Sequence, residues 1–145
     1  MRTRGFTLVE LAFVLAVLGV LVSLTVPGYR AITLRSRAAE APLGLEALAD
    51  AELRYFRDHG GFVACPPMPP GAPPRGTSAT LDAKAPGFKE LGFHMDGPIR
   101  YQYEVVLEKS TFKAIARGDL DGNGRLSTFT LRGDTLALDV QDELE

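Results

Sequence analysis

The stretch that decides the fold is Arg2-Thr3-Arg4-Gly5-Phe6-Thr7-Leu8-Val9-Glu10, continued by the apolar run Leu11 to Val26. A short basic leader ends in glycine, and the apolar segment behind it carries one early carboxylate. From Phe6 to Val26 the only polar residues are Thr7, Glu10, Ser23 and Thr25. As a helix this segment would be about 32 Å long, close to the ~30 Å hydrocarbon layer of a bilayer. A secretory signal peptide places its small-residue cleavage site after the apolar core. Here the glycine and the basic residues both come first. Arg2 and Arg4 predict a cytoplasmic N-terminus, with the rest of the chain on the other side of the membrane.

Glu10 is the discriminating residue. A carboxylate costs roughly 2.5–3.5 kcal/mol at the centre of a membrane helix on insertion scales, and less toward the interface. It is either tolerated at headgroup depth or paired with a positive group from a partner. Cleavage after Gly5 would create an α-amine at Phe6, one helical turn from Glu10. In a stack of such helices, the amine of one chain and the carboxylate of its neighbour neutralise each other.

Gly5-Phe6-Thr7-Leu8-Val9-Glu10, followed by an apolar helix, resembles the class III leader of type IV pilins and their pseudopilin relatives. The resemblance implies cleavage between Gly5 and Phe6 by a membrane prepilin peptidase, N-methylation of Phe6, and docking through Glu10 into a filament core of bundled helices. Gly19 and Pro27 also fall where pilins resemble one another, in a part of the helix that can loosen during assembly. Glycine is a weak helix former, and proline removes a backbone donor. The implied partners are other pilin subunits, the peptidase/methyltransferase, an inner-membrane assembly platform and the membrane itself. The implied route is a single-pass inner-membrane precursor that becomes an extracellular or periplasmic filament. The expected organisation is a leader at 1–5, a membrane and filament-core helix at 6–27, and an amphipathic half-helix with a globular head at 28–145.

Composition bounds the head. The chain has 145 residues, 46% of them hydrophobic, and a net charge of −2. Removing Arg2 and Arg4 leaves 14 basic against 18 acidic residues, a charge of −4. That balance gives no support to nucleic-acid binding. Arg30, Arg35 and Arg37 follow the apolar run without interleaved aromatics, which suits phosphate headgroups or a solvated face better than DNA. Cys65 is the only cysteine, so an intramolecular disulfide is excluded.

The helix is predicted to continue to about Arg57, bent at Pro42. Leu45, Leu48, Ala49, Leu53 and Phe56 recur at three- and four-residue steps as a stripe for a sheet, and His59-Gly60-Gly61 supplies the stop. Pro66 to Pro74 holds six of the ten prolines and reads as a stiff connector. Lys84 to Gly97 reads as a loop tucked onto the core by Phe88, Leu91 and Phe93. From Ile99 the period becomes two: Ile99 to Leu107, Thr111 to Arg117, Leu126 to Leu131 and Leu136 to Val140 predict four antiparallel strands. The fold class is therefore α+β and pilin-like: a long N-terminal helix, half of it membrane-spanning, packed on a C-terminal four-stranded antiparallel sheet.

Asp119, Asp121, Asn123 and Ser127 place oxygens where the first nine positions of a calcium loop need them. Thr130 stands where an EF-hand requires a bidentate glutamate, and the downstream segment is strand-like. The sequence supports either an acidic, glycine-rich hairpin turn or calcium held with help from elsewhere; calcium is the only cofactor it suggests. Arg-Gly-Asp at 117–119 and 132–134 reads as turn chemistry. No nucleophile–base set, phosphate loop or complete metal site is visible, so an enzyme is not expected. The expected function is that of a structural pilus subunit, serving motility, adhesion or DNA uptake. Its near relative is a type II secretion pseudopilin, and the reading from another class is a membrane-tethered calcium-binding head.

Overall fold

The computed structural model describes residues 6–142, apart from the side chains of Val26, Pro27 and Arg30. The chain divides into two units, Met1–Thr33 and Leu34–Glu145. Helix α1 runs from Leu8 to Ala38 and α2 from Glu40 to His59. The expected bend at Pro42 is corrected: the interruption falls upstream, at Ala39. Proline at 42 offers no N–H to the Ala38 carbonyl and its ring crowds that carbonyl. One helix therefore closes at Ala38, and Pro42 sits in the first turn of the next, where its missing donor costs little. Ala39 keeps φ −62° and ψ −16° and still donates to the Arg35 carbonyl at 3.2 Å, so the break is local.

In the second unit α2 buries Ala41, Gly44, Leu45, Leu48 and Ala49 while Glu46, Asp50, Arg54 and Arg57 stay exposed, as the stripe predicted. Phe56 remains 45% exposed and stacks on Phe62 with 4.6 Å between ring centres. Gly60 ends the helix at φ 76°, donating its N–H to the Phe56 carbonyl at 2.7 Å. A left-handed residue here favours glycine, which carries no Cβ to clash.

The sheet has five antiparallel strands in sequential order, not four. They are β1 (Cys65–Met68), β2 (Gln102–Leu107), β3 (Phe112–Gly118), β4 (Ser127–Arg132) and β5 (Leu138–Gln141), with the short helix α3 at Phe88–Leu91. The additional strand, β1, lies in the stretch read as a connector. Proline is compatible with an edge strand because the lost donor can face outward. The register shifts between Cys65↔Val105 and Met68↔Tyr103, which marks a bulge around Pro66-Pro67. Gln102 then ties down the following turn, donating to the carbonyls of Pro69 at 2.6 Å and Gly71 at 2.9 Å.

The inner face alternates large and small side chains. Tyr103 and Val105 of β2 lie opposite Ala116 and Ala114 of β3, which in turn face Phe129 and Leu131 of β4. The alanines leave room for α2, and Tyr103 uses it. A Cβ on Gly44 would lie 2.6 Å from the Tyr103 hydroxyl, so the phenol passes beneath the helix only because residue 44 is glycine. Its hydroxyl donates to the Glu40 carbonyl at 3.3 Å. Phe88, Leu91 and Phe93 are buried as expected, but Phe88–Leu91 forms one helical turn. Glu90 stabilises that turn by accepting the Gly87 N–H at 2.5 Å.

Candidate assembly helix and acidic turn

Helix α1 begins at Leu8, within the motif at residues 5–10. Thr7 directly precedes its first residue; the Thr7 hydroxyl oxygen accepts the Glu10 backbone N–H at 3.2 Å, and the Thr7 carbonyl accepts from Leu11 at 3.1 Å. Thr7 is thus the N-cap, satisfying a donor that a helix start otherwise leaves orphaned. This role was missed in the sequence, although Thr7-x-x-Glu10 has the spacing of a capping box. An acidic residue in the first turn also suits the positive end of the helix dipole.

The window Leu8–Thr25 has a mean hydropathy of 2.5 and none of it is buried within the chain. Phe6 is 74% exposed and Leu8 85%. A helix apolar on every side requires a bilayer or other helices around it. Its Ser23 and Thr25 hydroxyls are satisfied internally: Ser23 donates to the Val20 carbonyl at 2.7 Å and Thr25 to that of Leu21 at 2.6 Å, as hydrocarbon surroundings demand. The α-helix continues through Gly19 and Pro27. No atom lies within 4 Å of a Cβ placed on Gly19, so packing inside the chain does not require glycine there. Gly5 lies outside the described residues.

Residues 1–26 match the family described as the prokaryotic N-terminal methylation motif. The chain is also similar to the type IV major pilin protein PilA of Myxococcus xanthus (strain DK1622), 39% identical over 57 residues that are 39% of this chain and 26% of that protein. To the type IV major pilin protein PilE1 of Neisseria gonorrhoeae it is 36% identical over 72 residues, 44% of each chain.

Over its N-terminal part the chain is similar to type IV major pilins.

To the fimbrial protein of Neisseria meningitidis serogroup B (strain ATCC BAA-335 / MC58) it is 39% identical over 57 residues, 39% of this chain and 34% of the relative. The match therefore spans less than half the length of these curated relatives. No solved structure matches the chain.

The acidic turn of the second unit is built around Asp119, which is 1% exposed. Its two carboxylate oxygens accept the backbone N–H groups of Gly122 at 2.7 Å and Gly124 at 2.8 Å. Burial acts to raise its pKa, but hydrogen bonds from Gly124, Gly122, Asp121 and Asn123 outweigh it and hold the carboxyl below its ordinary value. Asp121 accepts from the Asn123 backbone at 3.1 Å and side chain at 2.8 Å, and Asn123 Oδ1 accepts from Arg125 at 2.7 Å. Ser127 is fully buried, donating to the Gly118 carbonyl at 3.0 Å beside the Tyr101 hydroxyl at 3.3 Å. Asp119, Asp121 and Asn123 thus share one turn, with their oxygens committed to it, while Ser127 is held in the core.

Among the described residues no three His, Cys, Asp or Glu side chains gather in a way that could hold a metal. Burial of Asp119 also withdraws the first Arg-Gly-Asp from any receptor, and its Arg117 pairs with Glu104 at 2.8 Å.

A second buried carboxylate was not singled out in the sequence. Glu52 is 0% exposed. Its Oε2 accepts the Val63 N–H at 3.0 Å, and its Oε1 has no hydrogen-bond partner. Burial raises its pKa to about 7 against the lowering effect of the Val63 bond. The available signal was its spacing, since Glu52 stands four residues after Leu48 on the apolar stripe. Cys65 is buried, and burial together with Glu52 and Glu90 pushes its thiol up to about 12. Such a thiol is a packed, unreactive group.

Proposed function

We propose that this chain is a structural subunit of a type IV pilus or pilus-like filament, inserted in the membrane as a precursor and assembled through α1. The observation that carries the proposal is the wholly exposed apolar helix Leu8–Thr25 placed directly behind a methylation-type leader. In this proposal the leader is cut between Gly5 and Phe6, Phe6 is N-methylated, and the Glu10 carboxylate meets the Phe6 amine of a neighbouring subunit. Gly19 and Pro27 let the helix loosen as it leaves the bilayer. The relatives, described as major pilins, favour a pilus over a secretion pseudopilus and a structural role over an enzymatic one. The expected site of action is the inner membrane before assembly and the cell surface afterward.

The test is incorporation. Filaments sheared from cells expressing the chain should contain it, and Glu10→Ala should leave it in the membrane fraction at normal abundance. Equal incorporation of the Glu10→Ala chain would overturn the role assigned to that carboxylate. Failure of the unaltered chain to enter any filament, in cells whose assembly machinery is active, would overturn the subunit proposal.

A further inference from the structure

The second unit carries a polar cleft that the filament proposal does not use. It has a volume of about 200 Å³ and is lined by Arg37, Gly76, Thr77, Ser78, Arg100 and Leu120. Its rim is held in place from several directions. Gly76 donates its N–H to the Asp119 carbonyl at 2.6 Å, and Ala79 exchanges two 2.8 Å backbone bonds with Ile99, so Thr77 and Ser78 are strung between two anchored points. Arg100 is fixed by Glu40, which accepts its backbone N–H at 2.6 Å and its guanidinium at 3.1 Å.

Arg37 is half-buried at the end of α1 and is absent from the three ion pairs among the described residues. The Asp119 carboxylate, which could have opposed it, is turned into its own loop by the Gly122 and Gly124 N–H groups. Two guanidinium groups and two exposed hydroxyls therefore border one cleft, with Glu40 offsetting one of the positive charges.

We infer that this cleft is a binding site for a phosphate-type oxyanion, either free in solution or carried on a lipid headgroup. A planar carboxylate is satisfied by a single guanidinium fork. Four donor side chains around one cleft match the three or four oxygens of a tetrahedral anion better, and guanidinium is the cation suited to that recognition. At about 30 Å³ per water, the cleft holds such a group and part of its hydration shell. Arg37 supplies the uncompensated charge, Arg100 a pre-positioned fork, and Thr77 and Ser78 the neutral donors.

The test is titration of inorganic phosphate into the full chain in dodecyl maltoside micelles, which carry no phosphate, at low ionic strength, by calorimetry. Saturable binding is expected, weakened at least about tenfold by Arg37→Gln and a few-fold by Thr77→Val. Arg37 and Thr77 are partly or fully exposed, and circular dichroism of both variants should match that of the unaltered chain. Should Arg37→Gln misfold, Thr77→Val alone decides. Repeating the titration with phosphatidylglycerol added to the micelles assigns the source. A raised apparent Kd supports a site taken by the headgroup, and an unchanged Kd supports one for soluble oxyanions. Absence of saturable phosphate binding, or the same Kd in the folded variants, would overturn the inference.

Discussion

The Thr7 hydroxyl oxygen accepts the backbone N–H of Glu10 at 3.2 Å, so the two residues that open α1 are joined through the Glu10 main chain and not through its carboxylate. The helix start and the charge are therefore separable. Thr7→Ala should remove the cap at a cost of about 0.5–2 kcal/mol to the first turn, read as faster amide exchange of Glu10 in nanodiscs. Glu10→Gln keeps that bond and removes only the charge. It should leave exchange near wild type while blocking filament incorporation. Loss of incorporation in Thr7→Ala alone would mean that the cap, not the charge, matters to assembly.

Glu52 makes the stability of the head depend on pH. Its folded pKa of about 7 exceeds the ordinary 4.5, so between those values the folded state holds a proton that the unfolded state has lost. The stability this proton contributes is fully present below pH 4.5 and is lost as pH rises toward 7. The full-length chain in nanodiscs should lose on the order of 1–3 kcal/mol over that interval from this group. Glu52→Gln should flatten the dependence in urea titrations. Glu52 and Glu90 both act on the Cys65 thiol, so Glu90→Gln, which leaves the burial of Glu52 unchanged, serves as the control.

Gly44 is expected to be intolerant of any side chain. Gly44→Ala places a Cβ 2.6 Å from the Tyr103 hydroxyl, and overpacking of this kind costs about 1–3 kcal/mol. The melting temperature should fall. The double variant Gly44→Ala/Tyr103→Phe should recover little, because the ring carbons Cε1 and Cζ still lie 2.7 and 2.8 Å from the added Cβ; full recovery would show that the hydroxyl alone sets the clash.

Asp119 should stabilise its turn through charge rather than through a cation. Asp119→Asn keeps the shape but weakens two charge-assisted bonds, at an expected cost of about 1–3 kcal/mol. The depressed pKa means that this contribution is present above the ordinary carboxylate value of 3.8 and is lost as pH falls through the lower folded value. Millimolar calcium should leave the melting temperature unchanged. A rise with calcium would show that the turn rearranges to bind it.

The N-terminal motif and the meander were legible because their signals are local: a spaced set of residues at the leader, and a period of two from Ile99 onward. Strand β1 was not, since Pro66 and Pro67 remove the donors by which a strand is recognised, and its pairing depends on β2 far along the chain. The sequence shows the proline that breaks the helix but not the residue at which it breaks, because Pro42 acts on the carbonyl four positions earlier. Glu52 was obscured by its type, as a carboxylate within a helical stripe is ordinarily assigned to the solvent face. Ser127 fitted a ligand pattern in one dimension, whereas strand alternation turned it into the core beside Tyr101.

The most direct test of the filament account is the intact mass of the chain recovered from sheared surface filaments. The account predicts a polypeptide beginning at Phe6 and bearing one added methyl group. Recovery of assembled chains that retain Met1 to Gly5 would contradict it.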